Sequence, residues 1–208
     1  MPRAARADNA PSTAAISLLS PLGAILAIKD GCDAIAFLDA DNYYLSDHLT
    51  GLAEAARVTG ADVVTSARFL IRPDGSRIEG LQDEPAAKHT DTSCYFLTGL
   101  ALPLAISWGL WPRQLSIIGH RIFRRMLRAA KVKFVHVPVA TVAYTTTWME
   151  HYTARGEAPP PGAKSVRDIR VQADLPGWWR SLAETDRQCI RTLIGIADFD
   201  IQPSSFRR

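Results

Sequence analysis

The stretch Ala34-Ile35-Ala36-Phe37-Leu38-Asp39-Ala40-Asp41-Asn42 places an apolar run of strand-forming length directly before two carboxylates spaced i, i+2. In an α/β sheet, such a point is the carboxyl end of a strand, where ligands of open parallel sheets bind. Two hard oxygen ligands there suit Mg²⁺ or Mn²⁺ carrying a diphosphate. The alternative is a strand followed by a polar turn, in which the Asp and Asn side chains satisfy local backbone groups. These residues alone favour neither interpretation.

Composition bounds the class of protein. The chain has 208 residues, 47% of them hydrophobic and 22% charged, which predicts one domain, or a domain with an appendage, around a real core. The net charge is only +3, and nucleic-acid binding is not expected because a binder would more often concentrate Lys and Arg on one face. The only dense basic cluster fits the solvated side of one amphipathic helix, and a patch that faces phosphate or a membrane is the minority interpretation. Its members are Arg121, Arg124, Arg125, Arg128, Lys131 and Lys133.

Cysteine usage and hydropathy bear on the compartment. The three cysteines are odd in number, far apart and without C-x-x-C spacing, which predicts reduced thiols in a cytoplasmic protein rather than disulfides or a zinc site. The 18 residues from Tyr95 to Pro112 carry no charge, which meets the length of a membrane span. Because Pro103 and two glycines interrupt them, a buried helix and loop is predicted instead. Contact with a membrane surface stays open.

The first half of the chain alternates helical and strand-like patterns. Helices are predicted over 21–30, with Ser20-Pro21 as its start, and over 46–60. Strands are predicted over 33–38 and 62–71, and the second is followed by a turn over 73–76 that begins a hairpin. This order predicts an α/β fold with parallel pairing.

The second half is more varied. A loop is predicted over 80–92, a helix from Ser116, and two short β-rich segments over 134–137 and 141–144. The Pro-rich segment 158–162 marks a boundary, and the apolar residues beyond it predict helices that dock on the rest. The predicted organisation is therefore a loose N-terminal segment over 1–15, the main domain over 16–157, and a linker with a helical C-terminal appendage over 158–208.

Two segments resemble a known family. They are Asp33-Ala34-Ile35-Ala36-Phe37-Leu38-Asp39-Ala40-Asp41-Asn42 and Leu115-Ser116-Ile117-Ile118-Gly119-His120-Arg121-Ile122-Phe123. Together they resemble the GT-A glycosyltransferases of the large inverting family that includes cellulose, chitin and rhamnan-type synthases. The resemblance covers roughly residues 8–155. It implies a Rossmann-like GT-A sheet flanked by helices, the fold of nucleotide-diphospho-sugar transferases.

The resemblance also implies roles for single residues. Asp41 would be the principal metal ligand, Asp39 would contact the ribose or the metal and its water, and Asn42 would adjoin the bound donor. His136 is a further candidate for the metal shell, because a later histidine sometimes completes it in this fold. The implied cofactor is Mg²⁺ or Mn²⁺.

The candidate catalytic residues are Asp91 and His120. Asp91 falls where family members handle the acceptor or donor sugar. His120 stands where many relatives have an acidic general base, and histidine can act as a base near neutral pH. For both residues the alternative is structural: a turn aspartate and a histidine on a helix surface.

The chain departs from the family at its front. Only 38 residues precede Asp39, and none reads as the opening strand that helps to bind the nucleobase. The expected sheet therefore lacks its first strand. This predicts weak binding and slow turnover of sugar nucleotides, together with self-association or the need for a partner chain.

The implied function is inverting transfer of a sugar from a nucleotide-sugar donor to a sugar, lipid or protein acceptor. One alternative is a non-catalytic glycosyltransferase remnant that binds sugar or a partner. Another is a phosphatase of the haloacid-dehalogenase type, in which Asp39 would be the nucleophile and Asp41 the general acid/base. That type expects small residues after the pair, whereas Asn42-Tyr43-Tyr44 follow here.

Overall fold

The structure is a computed structural model that describes residues 13–80 and 90–201. Its strands are β1 (Ala34–Ala36), β2 (Tyr43–Tyr44), β3 (Val63–Ile71), β4 (Tyr95–Thr98) and β5 (Phe134–Thr145). Its α-helices are α1 (Thr13–Lys29), α2 (His48–Thr59), α3 (Gly119–Ala129), α4 (Met149–Thr153), α5 (Val166–Ala173), α6 (Leu175–Ser181) and α7 (Glu184–Ile194). Three 3₁₀ segments span Thr92–Cys94, Gly99–Gly109 and Arg113–Ile118.

The five strands form one mixed sheet in the order β1-β4-β3-β5-β2. Strands β3 and β5 pair in parallel, whereas β4 runs antiparallel to both β1 and β3, and β2 runs antiparallel to β5. The predicted α/β class is thus confirmed in its coarse form. The predicted parallel pairing holds for β3 and β5 only, because β4 inserts between β1 and β3 in the opposite direction.

Side-chain alternation along the strands gives the sheet two apolar faces. On one face, Val64 and Phe96 pack with Leu52 and Ala56 of α2. The other face carries the larger core, to which α1, the Gly99–Gly109 segment, α3 and the C-terminal helices all contribute. The sheet is therefore a middle layer between α2 and a thick helical layer.

Several local signals gave correct boundaries. The hairpin after β3 forms as predicted, with Gly75 at φ 85° and an antiparallel bridge between Ile71 and Arg77. Helix α2 ends where Gly60 adopts the left-handed conformation at φ 64°, which satisfies a carbonyl of the last turn. Its first residue, His48, is buried and joins the hydroxyl of Thr141 through Nδ1 at 2.7 Å.

Other predicted boundaries were wrong. Helix α1 begins at Thr13 rather than at Pro21. The Pro21 ring packs closely against Gly109: a Cβ atom at position 109 would lie only 2.6 Å from the Pro21 Cγ atom. Helix α3 begins at Gly119 because Ser116 lies in the 3₁₀ segment before it. The two short segments around Pro138 form one strand, β5, which pairs with β3 across a local irregularity. The predicted loop over 80–92 lies mostly outside the described residues.

The uncharged run from Tyr95 to Pro112 forms β4 and then a 3₁₀ segment instead of the predicted buried helix. Its small residues Ala101 and Ala105 have no exposed surface. The run therefore lacks charged residues because it is buried in the core of the protein. Within the described parts of the chain, no helix combines the length and the apolar character that crossing a bilayer requires.

The C-terminal helices pack into the same core as the sheet. Trp179 is buried and Trp178 packs partly against the core, as expected for adjacent residues of one helix. The Trp179 indole nitrogen donates to Asp200 at 2.7 Å, and Ile190 and Ile194 of α7 are also buried in the cluster.

Candidate functional site

The candidate site lies at the sheet edge where β1 ends. Strands β1 and β3 point the same way because each is antiparallel to β4. The carboxyl end of β1 therefore lies beside the amino end of β4. Asp39 and Asp41 follow β1, and Asp91 and Ser93 precede β4. Continuing the β1–β4 register, in which Ala36 faces Phe96, by three residues places Asp39 opposite Ser93.

Ser93 joins the two chain segments. Its buried hydroxyl accepts the backbone N–H of Asp39 at 3.2 Å and the side-chain amide of Asn42 at 3.0 Å, and lies 3.4 Å from the Asp39 carboxylate. A serine hydroxyl can accept two hydrogen bonds and donate one, so this arrangement uses its full capacity. The orientation of the Asp39 backbone is therefore set by a residue 54 positions away.

Asn42 supports the turn that carries the two carboxylates. Its side chain is buried, and its oxygen accepts the backbone N–H of Thr145 at 2.9 Å while its amide donates to Ser93. The Thr145 hydroxyl in turn donates to the carbonyl of Asp41. These contacts tie the turn to β5. Both polar atoms of the Asn42 side chain are thus hydrogen-bonded within the protein, whereas the sequence predicted that Asn42 adjoins the bound donor.

Asp91 is held by an ion pair. One carboxylate oxygen lies 3.1 Å from the Arg68 guanidinium, and both side chains are almost buried, with 8% and 12% of their surfaces exposed. The other oxygen accepts the backbone N–H of Ser93 at 3.0 Å and caps the short 3₁₀ turn before β4. Arg68 also stacks over the Tyr144 ring, 4.2 Å from its centroid. The orientation of Asp91 is thus fixed from two sides.

The carboxylates share one electrostatic environment. Partial desolvation, followed by the charges of Asp91 and then Asp41, raises the pKa of Asp39 to about 6 against the opposing hydrogen bond from Ser93. The Asp39 residue as a whole remains open to solvent, as does Asp41. Burial, followed by the charge of Asp91, also raises the pKa of the Tyr144 hydroxyl. The edge is therefore rich in negative potential and accessible to a cation.

His136 is an exposed residue near the start of β5. It faces Thr65 across the parallel β3–β5 pair, and its Nδ1 atom is 3.0 Å from the Thr65 hydroxyl. Among the described residues, no group of three or more His, Cys, Asp or Glu side chains is arranged to hold a metal ion. The structure thus does not join His136 to Asp39 and Asp41 in a three-ligand cluster.

His120 lies in the first turn of α3 and is half-buried. Three residues further on, Phe123 packs edge-to-face on Phe37, with ring centroids 6.2 Å apart. Phe37 in turn precedes Asp39 by two residues. The start of α3 is thereby anchored to the strand that carries the carboxylates. A catalytic role for His120 stays a prediction.

Sequence reasoning missed Arg68 and Ser93. A signal existed for Arg68, since a lone arginine between Ala67 and Phe69 interrupts an apolar strand and is expected to have a partner. Ser93 gave no such signal, because its role depends on a register between β1 and β4 that no local pattern encodes.

No family model matches the chain, and no curated protein is significantly similar to it.

Proposed function

We propose that this protein is a metal-dependent inverting glycosyltransferase with a sheet of the GT-A type. The observation that carries the proposal is the packing of Asp39 beside Ser93, next to Asp41 and Asp91, at the carboxyl end of β1. Ligand sites of α/β sheets occur at such ends. The mixed sheet, with β4 against the direction of its neighbours, is compatible with a Rossmann-like arrangement.

The donor set fits a hard divalent cation. Asp39 and Asp41 are exposed residues that offer carboxylate oxygens, and their mutual repulsion is part of what raises the pKa of Asp39. A nearby cation would relieve that repulsion, because opposite charge favours the ionised form. In this proposal both residues hold Mg²⁺ or Mn²⁺, which would neutralise the charge that develops on the leaving diphosphate.

The remaining residues orient the reactants and move a proton. Asp91, fixed by Arg68 and by the Ser93 N–H, would accept hydrogen bonds from a sugar hydroxyl in one defined direction. His120 would take the proton of the acceptor hydroxyl as that oxygen attacks the anomeric carbon. Asn42 and Ser93 would hold the turn in place rather than contact the donor, because their polar atoms are already engaged.

The metal site is tested by titrating Mn²⁺ into the protein in a calorimeter. We expect Asp41→Asn to weaken binding at least about tenfold, because a charged oxygen ligand is lost. Asp186→Asn, an exposed carboxylate on α7, is the matched control and should leave the affinity unchanged. Equal affinity of Asp41→Asn and the parent protein would remove the metal role.

Donor binding and turnover are tested next with a panel of sugar nucleotides that differ in base and sugar. The proposal expects Mn²⁺-dependent binding, followed by release of the nucleoside diphosphate when acceptors are supplied. A pH–rate profile that His120→Ala leaves unchanged would defeat the assignment of His120 as the base.

A non-catalytic sugar-binding protein is the second candidate. The observation that favours it is the Arg68–Asp91 ion pair, which already satisfies a carboxylate that a transferase would use on its substrate. Metal-dependent binding of a sugar nucleotide without release of nucleotide, across the acceptor panel, would favour this candidate.

A further inference from the structure

Arg124 of α3 is a buried cation without a carboxylate partner among the described residues. Only 9% of its surface is exposed, and its Nη1 atom donates to the hydroxyl of buried Thr90 at 3.0 Å. Its Nε atom is buried and has no hydrogen-bond partner within the described parts of the chain. Because a buried charge is unfavourable unless it is paired, a buried arginine usually has a counter-ion. Arg124 therefore retains both a charge and a donor for an anion.

The groups around Arg124 do not neutralise its charge. Burial, followed by the positive charge of Arg128, lowers the pKa of Arg124, whereas the contact with Tyr95 opposes this effect. The Phe134 ring centroid lies 5.4 Å from the guanidinium carbon, which is a weak cation–π contact. Helix α3 itself contains no Asp or Glu. The surroundings of Arg124 therefore favour a negatively charged ligand.

Tyr95 of β4 supplies a second unpartnered group beside Arg124. The residue has no exposed surface, and its ring packs edge-to-face on Phe123 with the centroids 5.3 Å apart. Burial raises the pKa of its hydroxyl to about 12, and the neighbouring Arg124 and Thr90 side chains oppose that rise. Among the described residues the hydroxyl nevertheless lacks a well-oriented hydrogen bond. Two buried polar groups, one on α3 and one on β4, thus lie together with hydrogen-bonding capacity left over.

The chemistry of these two groups favours a carboxylate as the ligand. The Nε–H group of Arg124 can only donate, and the Tyr95 hydroxyl can donate as well. An ionised carboxylate only accepts, and its single charge balances the single charge of Arg124. A phosphate monoester would instead bring a charge of about −1.5 to −2 to the same arginine. A carboxylate therefore matches this place in both charge and hydrogen bonding.

The same chain segment carries the candidate site. Asp91 and Ser93 lie between Thr90 and Tyr95 in sequence, and the Asp91 carboxylate caps the short turn that they share. Helix α3 adds a second connection, because His120 and Arg124 are four residues apart and so lie on one side of the helix. The unpartnered donors therefore adjoin the residues that are proposed to orient the sugar and to take its proton.

We propose that Arg124 and Tyr95 bind a carboxylate group of the sugar that is oriented by Asp91, so that the substrate is an acidic sugar of the uronic acid class. Thr90 holds the guanidinium in place for this contact. That the ligand is a sugar rests on the proposed function, whereas the carboxylate follows from the arginine and the tyrosine alone.

The test is an NMR titration of the intact protein with free ligands, without metal or nucleotide. The probes are glucuronate, its neutral amide glucuronamide, glucose 6-phosphate and acetate. The Arg124 Nε–H signal reports on the site directly, and it is assigned by its loss in Arg124→Lys. We expect glucuronate to shift this signal and to slow its exchange with water. Glucuronamide should bind at least about tenfold more weakly, because hydrogen bonds to a charged acceptor are lost.

Two variants separate binding from folding. Tyr95→Phe removes a buried hydroxyl that lacks a well-oriented hydrogen bond, so the protein should fold at least as well as the parent. Its affinity for glucuronate should fall about fivefold. Arg124→Lys keeps the charge but loses the planar guanidinium, and the affinity, followed by backbone amide signals, should fall at least about tenfold. Arg121→Lys, an exposed arginine of the same helix, is the matched control and should bind as the parent does.

Several results would overturn the proposal. They are an Arg124 signal that glucuronate does not move, equal binding of glucuronate and glucuronamide, and a preference for glucose 6-phosphate. Acetate that binds as tightly as glucuronate would remove the sugar. A shift of the Arg124 signal in ligand-free Asp83→Asn/Glu84→Gln would identify the counter-ion as a carboxylate of the chain itself and would also defeat the proposal.

The outcome can be told apart from that of the proposed function. Loss of the acidic-sugar site with Mn²⁺ binding at Asp41 and turnover of neutral sugar nucleotides intact would strike this inference alone. Glucuronate binding that depends on Arg124, in a protein that turns over no sugar nucleotide, would support the site and count against the transferase.

Discussion

The pKa of the Asp39 carboxyl is set by the groups that surround it. Its carboxyl is partly desolvated, faces the charges of Asp91 and Asp41, and receives partial compensation from Ser93. Perturbed carboxyls of this kind concentrate at functional sites, because the arrangement that binds a cation or a proton is unfavourable while it is empty. The pH dependence of folding offers a direct measure of that cost.

In the absence of metal, ionised Asp39 should oppose folding. Because its pKa is raised from 3.8 to about 6, the folded protein holds this proton more tightly than the unfolded chain. The stability that this bound proton contributes is fully present below the pKa of Asp39 in the unfolded chain, and it is lost as the pH rises through about 6. Asp39→Asn should therefore stabilise the protein near pH 8 by about 1 kcal/mol, a value reduced for solvent screening, and by little near pH 4.

Urea denaturation in a chelating buffer at both pH values measures this effect. Asp186→Asn controls for the general loss of one negative charge. Stability curves of Asp39→Asn and the parent protein that run parallel across the whole range would contradict the prediction.

Asp39 and Asp41 could be identified as candidate site residues from the sequence, whereas the supporting residues Ser93 and Arg68 were missed. Two carboxylates after an apolar run form a local pattern, and a local pattern can be read without knowing the fold. Ser93 and Arg68 reach their partners because the β1–β4 and β3–β5 strand pairs bring together segments that are distant in sequence. Residues whose function depends on non-local register cannot be recognised from spacing alone.

At the level of elements, the Asn42 side-chain amide is one of the groups that hold the turn between β1 and β2. Asn42 connects Ser93, before β4, with the backbone of Thr145 at the end of β5. Asn42→Ala would leave both partners short of a hydrogen bond in a buried setting, which costs about 1–3 kcal/mol for each group. We expect a loss of about 2–3 kcal/mol in the free energy of unfolding.

Hydrogen exchange locates the effect of Asn42→Ala. The Thr145 amide should exchange faster, because it loses its acceptor. Ser76→Ala is a suitable control, since the Ser76 hydroxyl also makes a side-chain hydrogen bond, to Asp74, but in an exposed turn. Unchanged protection of Thr145 would show that the amide does not hold the turn.

Elements with local signals were predicted well, and those fixed by packing were not. The glycines that end α2 and turn the hairpin at 73–76 act within a few residues, and both positions were correct. Strand β4 was missed because its four residues open a longer uncharged run that resembles a buried helix. Only its place between β1 and β3 makes it a strand.

For the molecule as a whole, the C-terminal helices belong to the main core rather than to an independent unit. Trp179, Ile190 and Ile194 share one buried cluster with Phe123 of α3 and Leu97 of β4. The sequence predicted docking from the apolar residues after 162, but it did not identify the surface that receives them. That surface is the face of the sheet opposite α2.

The tryptophan pair of α6 tests this single core. Trp179 has 2% of its surface exposed, contacts Phe199 edge-to-face and donates to Asp200, whereas Trp178 is only partly buried. Trp179→Ala should therefore lower the free energy of unfolding by about 3–5 kcal/mol, and Trp178→Ala by clearly less. Because both variants lose the same atoms from neighbouring positions, the difference between them reports burial.

Thermal melting of both variants, and of a chain that lacks residues 163–208, completes this test. A shared core predicts one cooperative transition that shifts down in Trp179→Ala and is lost or strongly lowered in the shortened chain. Removing the C-terminal helices would open the buried cluster that Trp179, Ile190 and Ile194 share with Phe123. A shortened chain that melts at the parent temperature would show that the sheet and α3 hold together without the C-terminal helices.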